Sequence, residues 1–160
     1  MKKWMVLMGL LLAGATPASW ASDAALPRAE NFRNDARQAQ HQRLAVLVFF
    51  SAKSCQYCES MRELFLGPMF ASGDYSNKVI MREVQVDSGR ELRDFEGKRI
   101  SHRDFALRYR VGLTPQIWFL DPAGKELIPA LVGLGTPELF GSYLDAAIDM
   151  AVASMRVAPP

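Results

Sequence analysis

Two cysteines separated by two residues, Cys55 and Cys58, are the only cysteines in this chain of 160 residues. A disulfide across so short a separation closes almost no loop, so it would add little to stability by restricting the unfolded chain. Two thiols at this spacing can instead exchange disulfides: one thiolate attacks, and the second thiol resolves the mixed disulfide that forms. The pair therefore predicts redox chemistry rather than a structural cross-link.

Two metal-based interpretations fit the pair less well, and a third stays open. Attachment of c-type haem needs a histidine directly after the second cysteine, and that residue is Glu59. A zinc site needs two further Cys or His ligands, but His41 and His102 fall in separate polar helices, where we expect them to be solvated. Copper(I) accepts two thiolates, with Met61 and Met69 as conceivable further ligands. A non-catalytic copper-binding or partner-binding module is therefore an alternative.

The elements around the pair are predicted to be a buried strand and a helix. Residues 44–50 form a continuous apolar run typical of a strand buried on both faces. Apolar residues at helical spacing follow the cysteines, and Gly67-Pro68 is expected to end that helix. Cys55 would lie at the helix N terminus, where unpaired N–H groups and the helix dipole favour a thiolate, with Cys58 shielded one turn later. Lys53 is either a solvated lysine or a second charge that favours the Cys55 thiolate.

The rest of the chain alternates between helical and strand patterns. Residues 22–43 predict a polar surface helix opened by Pro27. Residues 69–78 predict a loop, and residues 87–100 a solvated loop or an irregular insertion. Strands are predicted at 79–86, 116–120 and 125–132, and helices after Ser101 and after Thr136-Pro137. Strands separated by helices, with one late hairpin at 121–124, indicate an α/β fold with a mixed sheet. Trp118 is expected to pack in the core.

The first 21 residues have the features of a secretory signal peptide. Lys2-Lys3 precede an apolar run over residues 4–15, and Ser19 and Ala21 are small residues suited to cleavage before Ser22. The run is too short to span a bilayer. We therefore expect a periplasmic protein that does not span the membrane after cleavage.

Composition and charge exclude several classes of protein. Hydrophobic residues make up 49% of the chain and charged residues 22%, which excludes disordered and collagen-like chains. The formal net charge is +2, and two of the positive charges belong to the leader. A processed chain without net charge lacks the excess of positive charge that attracts nucleic acid or an anionic membrane.

From about residue 44 to residue 148 the chain resembles the thioredoxin superfamily. The resemblance lies in residues 46–58, which end in Cys-Gln-Tyr-Cys, in residues 109–115, which end in Thr-Pro, in the turn at 121–125, and in Gly133. It implies a thioredoxin fold: a central mixed sheet flanked by helices, here with an extra N-terminal helix. The implied division is a signal peptide at 1–21, a helical extension at 22–43 and a thioredoxin-like domain at 44–155.

The resemblance also implies the roles of individual residues. Cys55 is the attacking and Cys58 the resolving cysteine, and Pro115 is a cis proline lying against their disulfide. Thr114 pairs its backbone with the substrate, and we interpret Tyr57 as a further substrate contact. The implied partners are secreted proteins that contain disulfides, and no cofactor is expected.

The leader, Tyr57 and the charged segment 87–100 are similar to SoxW-type periplasmic thioredoxins. This similarity implies a reductant recharged by a membrane electron donor of the DsbD/CcdA type. A DsbA-like oxidant is the alternative, although segment 87–100 is too short for the helical domain that such oxidants usually carry. The chain departs from thioredoxins at Phe49, where they have a buried acid. Which group deprotonates Cys58 is therefore open, with Glu59 and Glu63 as nearby candidates.

Overall fold

The structure, a computed structural model, describes residues 25–157, so the predicted signal peptide lies outside the described residues. The helices are α1 (Phe32–Gln42), α2 (Gln56–Met61), α3 (Gly67–Ser72), α4 (His102–Arg108) and α5 (Pro137–Val157), with a π-helical turn at Arg62–Leu66 that joins α2 to α3. The strands are β1 (Ala45–Ser51), β2 (Val79–Gln85), β3 (Glu91–Arg93), β4 (Arg99–Ser101), β5 (Gln116–Leu120) and β6 (Glu126–Val132). Within residues 25–157, no helix is long and apolar enough to cross a membrane.

A four-stranded mixed sheet in the order β2-β1-β5-β6 forms the centre of the fold. Strand β1 pairs in parallel with β2 and antiparallel with β5, and β5 pairs antiparallel with β6. All seven residues of β1 are buried, as its continuous apolar run predicts. Leu47 and Phe49 pack on one face of the sheet with α2 and α5, and Val48 and Phe50 pack on the other with α1 and α4. This arrangement confirms the predicted fold class.

The predicted N-terminal helix is confirmed, but its predicted start at Pro27 is wrong. Helix α1 begins at Phe32, and the Asn31 side chain caps it by accepting from the Asn34 N–H. Phe32 is fully buried, with its ring centroid 4.9 Å from that of Phe95 and 4.7 Å from that of Phe105. The segment has few apolar residues, but these residues pack on one apolar face of the sheet. Sequence periodicity alone does not show that contact.

The helix after the cysteines does not end at Gly67-Pro68. The Gly67 N–H donates to the carbonyl of Arg62, five residues earlier, and this π-helical turn leads into α3. Pro68 then occupies the first turn of α3, where a missing N–H costs nothing. The helix ends instead at Gly73, whose φ of 73° lies in the left-handed region. The predicted loop at 69–78 is therefore helical up to Ser72.

Segment 87–100, predicted to be a solvated loop, contains most of a small antiparallel pair of strands, β3 and β4. Leu92 is buried, and Asp94 is buried beside Arg108 of α4. Burial opposes ionisation of Asp94, but hydrogen bonds from Arg108 and from the Lys98 N–H hold the pKa of its carboxyl below the ordinary value. The hairpin is thus anchored to the domain by the apolar contacts of Leu92 and Phe95 and by the ion pair between Asp94 and Arg108.

Several local predictions are confirmed. The Ser101 side chain accepts from the Asp104 N–H at 3.0 Å at the start of α4, and α5 begins at Pro137. The turn at 121–124 joins β5 to β6 as an antiparallel pair. Trp118 packs its ring 5.4 Å from that of Tyr109, although it is only partly buried.

Candidate active site

Cys55 and Cys58 form a disulfide between the end of β1 and the start of α2. Their Cα atoms lie 5.2 Å apart, and their sulfurs are bonded at 2.05 Å. Cys55 has extended backbone angles and is the N-cap residue of α2, as the sequence predicts, and its Sγ accepts from the Cys58 N–H at 3.1 Å. A thiolate on Cys55 would therefore meet an N–H donor and the positive end of the helix dipole.

The two sulfurs differ in their exposure. Cys55 is partly exposed, whereas Cys58 is fully buried among residues that include Phe49 and Met61. A disulfide of another protein can therefore approach Cys55 but not Cys58. This difference supports attack by Cys55 and resolution by Cys58, which stay predictions.

The remaining predicted site residues lie on two segments. Tyr57 is 68% exposed on the first turn of α2. The Thr114–Pro115 peptide bond is cis, as the resemblance implied, and Pro115 is buried with its carbonyl accepting from the Gly133 N–H at 2.9 Å. Among residues 25–157, no backbone hydrogen bond engages Thr114. Its backbone is thus available to a bound segment, as its predicted role requires.

Glu83 is a buried carboxylate near the pair that the sequence predictions missed. It lies on β2 directly opposite Phe49 of β1, and it is 8% exposed. Its Oε1 accepts from the Ser51 hydroxyl and, at 2.6 Å, from Nη2 of Arg62. Glu83 could have been singled out as a charged residue inside a strand with mostly apolar neighbours. A charge buried in such a strand requires a partner.

Arg62, the first residue of the π-helical turn, connects this carboxylate to the cysteine helix, the name used here for α2 together with that turn, residues 56–66. Its backbone N–H donates to the Cys58 carbonyl, and its guanidinium carbon lies 5.7 Å from the centroid of the Phe49 ring. Burial disfavours the charged guanidinium, but hydrogen bonds to Glu83 and Glu59 outweigh it and raise the pKa of Arg62. Glu59 and Glu63, the two candidates named from the sequence, are both exposed.

One of the two histidine predictions is confirmed and the other is wrong. His41 is exposed as expected, but His102 is only 1% exposed, so its predicted solvation is wrong. Nδ1 of His102 accepts from the Gln85 N–H at 3.1 Å, and Nε2 then donates to the Ala29 carbonyl at 3.0 Å. Burial lowers the pKa of His102. The cause lies in the tertiary structure, because the start of α4 packs against β2 and the segment before α1.

The methionines named as possible copper ligands are packing residues. Met61 is fully buried in the apolar cluster that contains Cys58, and Met69 packs against the same cluster. Over residues 25–157, no group of three or more His, Cys, Asp or Glu side chains is placed to hold a metal ion.

A polar cavity of about 530 Å³ lies beside the cysteine loop, residues 52–55 between β1 and α2. Its lining includes Lys53, Glu59, Arg62, Glu83 and His102. Both members of the ion pair between Arg62 and Glu83 thus border the cavity, although Glu83 is largely covered.

Comparisons with known proteins agree with this geometry. The family of the thioredoxin-like domain matches residues 32–148, and the match includes α1. No curated protein sequence matches the chain.

Solved structures share the fold at low sequence identity. A poplar thioredoxin h mutant is 21% identical, with a TM-score of 0.54 over 95% of this chain and 98% of its own. A thioredoxin-fold protein from Helicobacter pylori is 20% identical, with a TM-score of 0.55 over 88% of this chain and 81% of its own. DsbH oxidoreductase is 17% identical, with a TM-score of 0.54 over 88% of this chain and 95% of its own.

Proposed function

The chain belongs to the family of the thioredoxin-like domain and carries the dithiol of a thiol–disulfide oxidoreductase; from that premise we propose that it reduces disulfides of other proteins in the periplasm. The observation that carries the proposal is the unequal exposure of the two sulfurs. Cys55 is open to a partner at the start of a helix, and Cys58 is buried one turn behind it.

The reaction begins from the reduced protein. The Cys55 thiolate attacks one sulfur of the substrate disulfide, forming a mixed disulfide and releasing the other substrate sulfur as a thiolate that takes up a proton. Cys58 then loses its proton and attacks the Cys55 sulfur. The Cys55–Cys58 bond forms, the bond to the substrate breaks, and two electrons have passed from the dithiol to the substrate.

Substrate recognition in this proposal uses Tyr57 and Thr114. The exposed Tyr57 ring offers apolar contact beside the disulfide, and the Thr114 backbone can pair with an extended substrate segment. Leu113, which precedes Thr114, is 71% exposed and adds apolar surface on the same loop. Both kinds of contact depend little on substrate sequence, which suits a reductant with several protein substrates.

The direction of electron flow is proposed from the size of the insertion after β2. Between β2 and α4 the chain forms only the β3–β4 pair, with no helical domain of the kind that DsbA-like oxidants usually carry. The predicted signal peptide supports the periplasmic location, and a reductant there must be recharged. A membrane donor of the DsbD/CcdA type would do this, as the similarity to SoxW-type thioredoxins implies.

The test is the reduction potential of Cys55–Cys58 in the chain beginning at Ser22, measured by equilibration in thiol buffers, alkylation and mass spectrometry. A potential near or below about −230 mV supports a reductant, and one near about −120 mV identifies an oxidant. The Cys58→Ser variant, which keeps the accessible Cys55, is expected to trap substrates as mixed disulfides. Cys55→Ser is the matched control and should trap none.

A copper-binding or partner-binding module without catalysis is the competing function. This function requires that the two cysteines do not alternate between the dithiol and the disulfide, and that the purified protein carries copper. We would replace the reductase proposal by this one if the purified protein contained stoichiometric copper and failed to catalyse the reduction of insulin by dithiothreitol.

A further inference from the structure

We propose that Glu83, held by Ser51 and Arg62, accepts the proton of Cys58 when the mixed disulfide is resolved. This inference rests on the proposed dithiol function and identifies a further residue of the same site. Glu83 would act directly or through water of the adjoining polar cavity.

The need for such a group follows from the burial of Cys58. Its side chain has no exposed surface and lies in an apolar cluster. An apolar environment disfavours a thiolate, yet only the thiolate can attack the mixed disulfide. The proton must therefore pass to a group on the same side of the sheet as Cys58.

Glu83 is the buried carboxylate on that side. The buried carboxylates among residues 25–157 are Asp35, Glu83 and Asp94. Asp35 bonds to Arg82, which projects to the opposite face of the sheet, and Asp94 bonds to Arg108 of α4 on that opposite side. Neither can serve the face on which Cys58 lies.

The placement of Glu83 follows from strand register. Phe49 and Glu83 are paired positions of parallel neighbouring strands, so their side chains share one face of the sheet. Phe49 belongs to the apolar cluster that contains Cys58, and Arg62 lies over the Phe49 ring while bonding to Glu83. Arg62 also bonds through its backbone to the Cys58 carbonyl. One residue thus joins the turn that holds Cys58 to the carboxylate.

Several polar and charged groups face Glu83 from the elements packed around it. Ser51 comes from β1, Arg62 and Glu59 from the cysteine helix, and His102 from α4. Arg28 of the segment before α1, Lys53 of the cysteine loop and Arg90 before β3 line the same polar cavity. Four cations, Arg28, Lys53, Arg62 and Arg90, and one further carboxylate, Glu59, therefore line the cavity together with Glu83.

The proton leaves the Cys58 Sγ and reaches the Glu83 carboxylate, and the Cys58 thiolate attacks the Cys55 Sγ. The Cys58–Cys55 bond forms as the Cys55–substrate bond breaks, and the substrate leaves as a thiolate. Glu83 then releases its proton to water in the cavity, and the departing thiolate is protonated by solvent.

The experiment follows thiopyridone release when the reduced protein reacts with dithiodipyridine in a single turnover. The first equivalent reports attack by Cys55, and the second reports resolution by Cys58. In Glu83→Gln we expect the rate of the second phase to fall by at least about tenfold at neutral pH. The pH profile of that rate should also differ from the profile of wild type. The first phase should stay within about twofold of wild type. Glu83→Asp, which keeps the acid, should recover part of the second phase.

Asp35→Asn is the matched control, because Asp35 is an equally buried carboxylate paired with an arginine on the other face of β2. Both phases should be unchanged in it. A second phase in Glu83→Gln with the rate and pH profile of wild type would overturn the inference, and so would an equal slowing in Asp35→Asn.

Ser51→Ala provides a second variant that keeps both charged partners. Removing the hydroxyl that donates to Glu83 should slow the second phase and leave the first phase unchanged, because the carboxylate loses one of the two groups that hold it in place. An unchanged second phase contradicts the proposal. If wild type releases no second equivalent, the dithiol function itself fails, and this outcome is distinct from a failure of Glu83.

Discussion

Arg82 and Glu83 are adjacent on β2, and their side chains enter two different buried ion pairs on opposite faces of the central sheet. Arg82 bonds to Asp35 of α1 with its Nη2 2.6 Å from Oδ1, and Glu83 accepts from Arg62 at 2.6 Å on the cysteine side. The alternation of side chains along a strand separates the two pairs. The first ties the N-terminal helix to the sheet, and the second ties the sheet to the cysteine helix.

Loss of the first ion pair should destabilise the fold. Arg82→Met leaves the Asp35 carboxylate buried without its cation, and we expect the free energy of unfolding to fall by about 3 kcal/mol. Urea denaturation measures the change. Arg37→Met, on the exposed face of α1, is the control and should stay within about 0.5 kcal/mol of wild type. Equal effects of the two substitutions would contradict a special role for the buried pair.

Phe32 should contribute strongly to stability although it lies outside the domain boundary predicted from the sequence. Its ring is fully buried between Phe95 and Phe105. Phe32→Ala is expected to lower the free energy of unfolding by about 3–5 kcal/mol, because it removes apolar contacts and leaves a cavity. Thermal and urea unfolding test this expectation, with the 64% exposed Leu107, changed to Ala, as the control. A small effect would mean that α1 is dispensable for the domain.

His102 should make stability depend on pH. Burial lowers its pKa in the folded state below the ordinary value of 6.5, so the unfolded chain binds the proton more readily. The stabilisation is fully present above about pH 6.5 and is lost as the pH falls toward the folded pKa. Urea denaturation between pH 5 and 8 should show this slope in wild type and in His41→Gln. The slope should be weaker in His102→Gln, and an identical slope in that variant would refute the assignment.

Tyr57 should affect protein substrates more than small ones. Removing its exposed ring in Tyr57→Ala should slow insulin reduction by about fivefold, the equivalent of roughly 1 kcal/mol of lost contact. The reaction with dithiodipyridine should not change, because that small disulfide needs only Cys55. Tyr143→Ala removes a ring that is 59% exposed on α5, and it serves as the control. If both substrates slow equally, Tyr57 acts on the cysteines and not on recognition.

Much of the fold and the position of the cysteines could be predicted because their signals are local. A few neighbouring residues are enough to recognise the apolar run of β1, the capping residue Ser101 and the proline at the start of α5. The unequal environments of Cys55 and Cys58 follow from their places on one helical turn.

The errors concern residues whose state depends on distant partners or on an unusual turn. The helix continues through Gly67-Pro68 because a π-helical turn places the proline where no N–H is needed. His102 was expected in solvent, yet it bonds to Ala29, 73 residues away in the chain. Glu83 was not singled out, since its partners Ser51 and Arg62 are separated from it by 32 and 21 residues.

The dithiol, the four strands of the central sheet and the family could be predicted from the sequence, because residue type and short-range spacing carry those signals. Only the tertiary structure decided which charged side chains are buried and against which partners. A carboxylate such as Glu83 tolerates burial only when chain segments far apart in sequence bring a hydroxyl and a guanidinium to it. That condition is set by strand register and helix packing, which no local pattern specifies.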